Sequence, residues 1–144
     1  MNENNYCLYS IAHARSGDKG NHANIAVMAY TPEGFRWMKK HLTVEAVQNY
    51  FASMKPSRVV RFEAPNVLGL NFLLYDVLAG GASRSLRIDS QGKVLAQALL
   101  LMEIKVNRSQ WYKMERFRAK RQGKKPKNEK TSANNSSIQS EIEA

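Results

Sequence analysis

Residues 13–24 read H-A-R-S-G-D-K-G-N-H-A-N, and this polar stretch separates two apolar runs of the chain. Its two glycines allow sharp turns and bring backbone N–H groups close to a ligand, while its arginine and lysine supply positive charge for an anion. The alternative is a polar loop whose side chains hydrogen-bond one another and hold the fold together. The stretch therefore predicts a loop that joins two strands or a long corner between them, with either an anion site or a structural role.

The candidate ligand-binding residues are Arg15, Ser16, Gly17, Lys19, Gly20, Asn24 and, from later in the chain, Arg84. Asp18 is able to pair with Arg15 or Lys19, which would neutralise the site and make the loop structural. The segment is not a nucleotide-hydrolysing Walker A loop, because its two glycines stand too close together and no Ser or Thr follows the lysine. The chemistry predicted here is anion binding rather than phosphate hydrolysis.

His13 and His22 are the only titratable bases in the stretch. No cysteine or carboxylate stands at the spacing that zinc ligands need, so we expect neither a metal nor another cofactor. His13 and Asp18 are the weak candidates for a catalytic general base. No Ser-His-Asp or Cys-His arrangement is visible in the sequence.

The first half of the chain predicts alternating strands and helices. Residues 6–13 and 25–30 are apolar and extended in character. Thr31-Pro32-Glu33 begins a helix, because threonine caps, proline suits the first turn and glutamate favours the positive end of the helix dipole. A second helix or a kinked continuation follows from Thr43, and residues 59–64 are strand-like.

The second half is less regular in pattern. Residues 67–79 are nearly all apolar and longer than a typical strand, which predicts a buried helix that ends at Gly80-Gly81. Residues 83–88 alternate, and a turn at 89–92 leads into a two-sided strand over 93–106. Together these segments predict an α+β domain, a two-layer sandwich in which helices cover one face of a largely antiparallel sheet.

Two polar residues interrupt these apolar segments. In the alternating run 83–88, Arg84 falls on the same side as the residues expected to face the core. A buried cation needs a partner, for which Asp18 and Asp76 are candidates. Alternatively, Arg84 joins Arg15 and Lys19 in an anion pocket. Asn71 interrupts the run 67–79, so its amide must be hydrogen-bonded.

Composition limits the class of protein. The 144 residues suffice for one core, and a lone cysteine, Cys7, rules out an internal disulfide framework. The N-terminus carries no charged-then-apolar signal, and no apolar run is long enough to cross a bilayer. We therefore expect a cytoplasmic protein without membrane contact.

The net charge of +10 is concentrated at the C-terminal end. Residues 1–106 hold 12 Lys and Arg against 8 Asp and Glu, whereas residues 107–144 hold 10 against 4. The expected organisation is a folded domain over 1–106 and a basic, largely disordered tail over 107–144, with a short basic amphipathic helix near its start. Such a tail is usually a solvated appendage, so specific nucleic-acid binding is not expected.

Several strings occur in an order that resembles one family: H-A-R-S-G-D-K-G, A-N-I, E-A-P-N-V-L-G-L-N-F, G-G-A-S-R-S-L-R-I-D and L-L-x-M-E-I. They resemble the small C-terminal, ferredoxin-fold domain of the AtuA-like (acyclic terpene utilisation) family, here as a stand-alone protein, over about Tyr6 to Ile104. The resemblance implies a ferredoxin-like fold and a link to the catabolism of branched, isoprenoid-type acids through CoA thioesters. It also implies a larger AtuA-like or acyl-CoA-metabolising partner.

Three classes of function follow. The first is an accessory or ligand-binding domain that acts with the larger partner and contacts an anionic group through Arg15, Lys19 and Arg84. The second is a small enzyme that acts on an acyl-CoA or carboxylate substrate. The third is a nucleic-acid-associated protein that works through its basic tail. Pairing of sheet edges into a homo-oligomer is compatible with each.

Overall fold

The computed structural model describes residues 2–79 and 92–121 of the chain. Ten helices and strands occur in the described ranges, together with three short 3-10 turns at Leu8–Ser10, Ala52–Met54 and Pro65–Val67. The strands are β1 (Glu3–Cys7), β2 (Ala12–Lys19), β3 (His22–Ala29), β4 (Val59–Ala64), β5 (Gly69–Leu74) and β6 (Glu103–Asn107). The helices are α1 (Pro32–His41), α2 (Val44–Tyr50), α3 (Leu95–Leu100) and α4 (Arg108–Arg121).

The described strands form two antiparallel sheets. The larger has the order β2-β3-β5-β4, and the smaller pairs β1 with β6. Because β3 and β4 are both antiparallel to the strand β5 between them, they run parallel to each other and α1 and α2 connect them. This is the split β-α-β arrangement of ferredoxin-like domains. The expected α+β class with an antiparallel sheet is confirmed.

One face of the larger sheet is covered by helices. Ile25 and Val27 of β3 and Leu70, Phe72 and Leu74 of β5 are at most 1% exposed and belong to one core. Register pairs Ile25 with Phe72 and Val27 with Leu70, so these side chains point to the same side of the sheet. The helices α1, α2 and α3 contact this sheet, and their apolar residues complete the core.

The predicted helix starts are confirmed. Thr31 has extended backbone angles and its side-chain oxygen accepts from the N–H of Gly34, while Pro32 is the first residue of α1. Thr43 caps α2 in the same way through the N–H of Ala46. Each cap satisfies a backbone donor that the helix itself cannot pair.

The predicted buried helix over 67–79 is wrong. The segment contains strand β5, which lies between β3 and β4 and buries Leu70, Phe72 and Leu74 on one face, while Leu73 on the other face obscures the polar-apolar alternation. Leu68 and Asp76 flank it with left-handed φ angles of 55° and 60°. Such turns are normally signalled by glycine, so nothing in the composition marked where the strand begins and ends.

The predicted long strand over 93–106 is also wrong in its first half. Residues of α3 occupy it, with Leu95, Ala96 and Leu99 buried on one helical stripe, and β6 begins only at Glu103. Leucine, alanine and glutamine are good helix formers, and this propensity prevails over the alternating pattern. The expected continuous strand over 6–13 is likewise divided, by the 3-10 turn between β1 and β2.

Helix α4 begins in the segment that we expected to be tail. Trp111 stacks on Tyr6 of β1 with ring centroids 3.7 Å apart and an interplanar angle of 4°. Met114 is 2% exposed and belongs to the core. The start of this basic segment is thus packed against the domain.

Some expectations lie outside the described residues: the helix stop at Gly80-Gly81, the strand over 83–88 with Arg84, most of the turn over 89–92, and the tail beyond Arg121. Among the helices that the structure describes, none combines the length and the apolar character that a membrane span requires.

Candidate functional site

The stretch 13–24 forms a β-hairpin rather than a loop. Lys19 pairs with His22, so only Gly20 and Asn21 make the turn between β2 and β3. Gly20 has a φ of +65°, which matches the glycine that a tight hairpin turn of type II′ needs at its first central position. Strand pairing therefore serves the backbone hydrogen-bonding groups of the stretch, and its polar side chains are left for other contacts.

Strand alternation sends the side chains of β2 to opposite sides of the sheet. Asp18 shares parity with the buried Ala12 and faces the helices, as Ser16 does. The other positions face away from the helices. We call this surface the open face, and its residues are His13, Arg15, Gly17 and Lys19 of β2, His22, Asn24, Ala26 and Met28 of β3, Gly69, Asn71 and Leu73 of β5, and Val60, Phe62 and Ala64 of β4.

Ser16 joins β2 to the segment that begins α3. Its hydroxyl donates to the carbonyl of Gly92 at 2.6 Å, with the carbonyl of Lys93 at 3.1 Å. The same oxygen accepts from the N–H of Ala96 at 2.9 Å, in the first turn of α3. Of the candidate ligand contacts, Ser16 is thus engaged in holding two parts of the fold together.

That connection brings Lys93 to the open face. A Cβ built on Gly17 would lie 3.4 Å from Nζ of Lys93, so the lysine side chain reaches around the edge strand and places its ammonium over the glycine. Arg15 and Lys19 flank Gly17 on the same face of β2. We call these three cations, Arg15, Lys93 and Lys19, the basic edge. Sequence reasoning missed Lys93, because nothing local connects it to the hairpin.

An amide pair lies at the centre of the open face. Asn24 donates from Nδ2 to Oδ1 of Asn71 at 2.7 Å, which joins β3 to β5. The bond confirms that Asn71 is hydrogen-bonded, although within a strand rather than a helix. On the far side, Phe62 is 54% exposed and stands directly opposite Asn71 in the register.

An aromatic and polar cluster closes the end of the open face near the hairpin turn. The ring of His22 lies 4.7 Å from that of Tyr75, and the guanidinium of Arg58 lies 4.2 Å from the Tyr75 centroid. His22 accepts at Nδ1 from the backbone N–H of Asp76 at 2.9 Å. The side chain of Asn21 donates to the Asp76 carboxylate at 3.2 Å.

Hydrogen bonding favours the charged form of Asp76. The hydroxyl of Ser57 donates to its carboxylate, and this bond is the main reason that the pKa of Asp76 lies below its ordinary value. Burial opposes that shift, and His22 and Asn21 support it. The carboxylate, not the imidazole, stands between serine and histidine, so these residues do not form a triad for nucleophilic attack.

On the open face, no strand position places a carboxylate beside Arg15 or Lys19, two cations of the basic edge. None of the ion pairs between described residues involves Arg15, Lys19 or Asp18. Asp18 lies on the opposite face from both cations, and no strand position of the open face carries a carboxylate. An anion on this face would meet a positive field without direct competition from sheet carboxylates.

The structure places the remaining sequence candidates as follows. Arg15, Gly17, Lys19 and Asn24 share the open face, and Gly20 forms the turn. His13 and Asp18, the two candidate bases, lie on opposite faces of β2. Arg84 is outside the described residues. Within the described ranges, no cluster of three or more His, Cys, Asp or Glu side chains is arranged to hold a metal ion.

Comparison of the chain with known protein families gives one match, whereas comparison with curated proteins and with solved structures gives none. Residues 6–105 match the AtuA ferredoxin-like domain, and this range covers the hairpin, the larger sheet, the first three helices and part of each strand of the smaller sheet. No curated protein and no solved structure matches the chain. Because this match spans well over half of the chain, the protein belongs to the AtuA ferredoxin-like domain family.

Proposed function

We propose that this chain is an accessory binding domain that holds an anionic group on the open face and acts beside a larger, acyl-CoA-metabolising partner. The observation that carries the proposal is the basic edge: Arg15 and Lys19 flank Gly17, and the Lys93 ammonium lies over that glycine. Arginine and lysine are the side chains that bind phosphate and carboxylate groups most strongly.

The partner part of the proposal has two supports. The family is that of a domain of larger proteins, so a partner subunit fits its context. In addition, the open face has no helix against it in the described structure, while Phe62 on it is 54% exposed. A CoA thioester carries phosphates and would present a suitable anionic group.

The anion site is tested by calorimetric titration of the full chain with a short-chain acyl-CoA and with inorganic pyrophosphate. We expect both to bind, and Lys19→Ala to weaken both by about tenfold, since a hydrogen bond to a charged group contributes about 1.5–3 kcal/mol. Lys105→Ala is the matched control, because Lys105 is an exposed lysine on β6 of the other sheet. Equal affinities for wild type and Lys19→Ala would refute the anion site.

The partner role is tested separately by co-expression with a large AtuA-like subunit, with size-exclusion chromatography as the readout. We expect a complex that Phe62→Asp disrupts and Tyr112→Asp preserves. Both are aromatic residues with similar exposure, but Tyr112 lies on α4. A complex insensitive to Phe62→Asp would exclude the open face as the contact surface.

A further inference from the structure

We infer that His22 is a further binding residue of the anion site, and that its Nε2–H donates to the anion that Lys19 holds. The inference rests on the proposed function and deepens it, because it places the anion at the hairpin end of the open face and adds an uncharged donor to the cations. It is carried by the juxtaposition of Lys19, His22 and the backbone N–H of Asp76, which come from three neighbouring segments.

Lys19 and His22 lie next to each other on the open face. They are paired directly across the hairpin, and the side chains of such a pair leave the same side of the sheet with Cβ atoms about 4.5–5.5 Å apart. Lys19 is exposed, and the side chain of His22 is 33% exposed. An oxyanion that binds the Lys19 ammonium beside the hairpin turn is therefore within reach of the imidazole ring.

The backbone of Asp76 determines which nitrogen of His22 carries the proton. Nδ1 accepts a hydrogen bond of 2.9 Å from the N–H of Asp76, so its lone pair is used and the uncharged ring carries its proton on Nε2. Among the described residues, no group accepts a hydrogen bond from that Nε2–H. His22 thus offers a donor of fixed tautomer to a ligand.

Tyr75 and Arg58 support the imidazole at this end of the face. The ring of Tyr75 lies 4.7 Å from that of His22, and the guanidinium of Arg58 lies 4.2 Å from the Tyr75 centroid. The imidazole is restrained by this ring and by the hydrogen bond at Nδ1, so little side-chain freedom is lost when an anion binds. Arg58 takes part in none of the ion pairs between described residues and adds positive charge nearby.

The carboxylate of Asp76 lies on the other side of the imidazole ring from the proposed ligand. Its Oδ1 is 3.7 Å from Nδ1 of His22, whereas Nε2 is directed to a different side of the ring. The hydroxyl of Ser57 and the amide of Asn21 donate to this carboxylate. Because the Asp76 side chain is 51% exposed, solvent screens its repulsion of a bound anion.

Two substitutions of His22 separate ligand binding from a structural role. The amide of asparagine ends near the position of Nδ1 in histidine, and the amide of glutamine ends near the position of Nε2. His22→Asn therefore keeps an acceptor for the Asp76 N–H and removes the donor to the anion. His22→Gln keeps a donor near the position of Nε2.

Calorimetric titration of the full chain with inorganic pyrophosphate at pH 8 measures the affinity of each variant. We expect His22→Asn to weaken binding about tenfold, as the loss of a hydrogen bond to a charged group does, and His22→Gln to weaken it less than about threefold. His41→Asn is the matched control, because His41 is an exposed histidine on α1, and its affinity should equal that of the wild type. Thermal scans verify that the variants are folded.

A second measurement on the unaltered chain detects the tautomer itself. In a long-range ¹H–¹⁵N correlation spectrum at pH 8, His22 should show a protonated Nε2 and an unprotonated Nδ1, and pyrophosphate should shift the Nε2 resonance. The spectrum of His22→Asn identifies this signal among the three histidines of the chain. A proton on Nδ1, or an Nε2 resonance that pyrophosphate leaves in place, would overturn the inference.

The outcomes distinguish this inference from the proposed function. If His22→Asn binds pyrophosphate as the wild type does while Lys19→Ala binds it more weakly, His22 is not a ligand and the anion site is retained. Equal losses in His22→Asn and His22→Gln also overturn the role of Nε2, because the ring would then act only through the fold. If the wild type does not bind pyrophosphate, both this inference and the proposed anion site are wrong.

Discussion

The side-chain oxygen of Ser16 accepts a hydrogen bond from the backbone N–H of Ala96 at 2.9 Å, across 80 residues of sequence. No side chain of its own segment caps α3, whose N-cap residue is Val94. The hydroxyl on β2 therefore performs the capping role that Thr31 performs locally for α1. The same hydroxyl donates to the carbonyl of Gly92, which fixes the segment that carries Lys93.

Removal of this hydroxyl should destabilise the domain. We expect Ser16→Ala to lower the free energy of unfolding by about 1–2 kcal/mol, because a helix cap and a second long-range hydrogen bond are lost together. Urea denaturation followed by circular dichroism measures the change. Ser53→Ala is the matched control, since Ser53 is exposed in the Ala52–Met54 turn and should change stability by less than about 0.5 kcal/mol. Equal losses in the two variants would contradict the capping role.

Gly20 should be required for its backbone conformation alone. Its φ is +65° and a Cβ there would meet nothing within 4 Å, so the cost of a side chain is the strain of the left-handed region. We expect Gly20→Ala to lower stability by about 1 kcal/mol and Gly20→Asn to lower it less, because asparagine tolerates this region better. Thermal denaturation of the two variants provides the comparison. Identical melting temperatures would argue against strain at this turn.

Position 17 should require a small side chain rather than a particular backbone conformation. A single Cβ would make an ordinary 3.4 Å contact with Nζ of Lys93, the far end of a flexible side chain. We therefore expect Gly17→Ala to preserve both stability and pyrophosphate binding. The branched side chain of Gly17→Val would displace the ammonium and weaken pyrophosphate binding by about tenfold, as Lys93→Ala should.

Calorimetric titration measures these affinities, and a thermal scan verifies that Gly17→Val remains folded. Valine suits a strand, so the loss should be confined to binding. If Gly17→Val binds pyrophosphate as the wild type does, Lys93 does not contribute to the site.

Asp76 should make the stability of the protein depend on pH in the acid range. Its pKa is lowered in the folded state, chiefly by the hydrogen bond from Ser57. The carboxylate form is thus favoured by folding, so its contribution is present above the unfolded pKa and is lost as pH falls through the lower folded pKa. We expect the stability difference between wild type and Asp76→Asn to shrink as the pH falls below about 4.

Asparagine accepts the φ of 60° at this position, so the substitution changes charge without adding backbone strain. Urea midpoints between pH 7 and pH 3 give the difference at each pH. Asp18→Asn serves as the comparison, because Asp18 has no described ion pair. A difference between wild type and Asp76→Asn that is independent of pH would contradict the assignment.

Local signals in the sequence were sufficient for the starts of α1 and α2. The threonine caps and the proline at the first helical position act within one turn, so the sequence contains the whole cause. The prediction of a helix over 67–79 was wrong for the opposite reason. The alternation of strand β5 is obscured by Leu73 on the open face, and the left-handed angles that flank the strand fall on Leu68 and Asp76 rather than on glycines.

The candidate site was predicted in part. Arg15, Gly17, Lys19 and Asn24 were selected from one hairpin, and register places all of them on the open face. Lys93, Phe62 and Asn71 come from three other segments, and only sheet pairing and the Ser16 contact bring them to the same surface. Ser16 belongs to the same stretch, but alternation directs it to the covered side.

The sequence by itself determined the family of this protein, its α+β class and the two helices that begin at threonine caps. These features depend on short sequence motifs and on contacts between neighbouring residues, so they can be recognised without the rest of the chain. The tertiary structure alone decided which face of β2 each polar residue occupies and which distant residues join the basic edge. The reason is that strand order and register are set by the burial of Ile25, Val27, Leu70 and Phe72 against the helices, which no short segment contains.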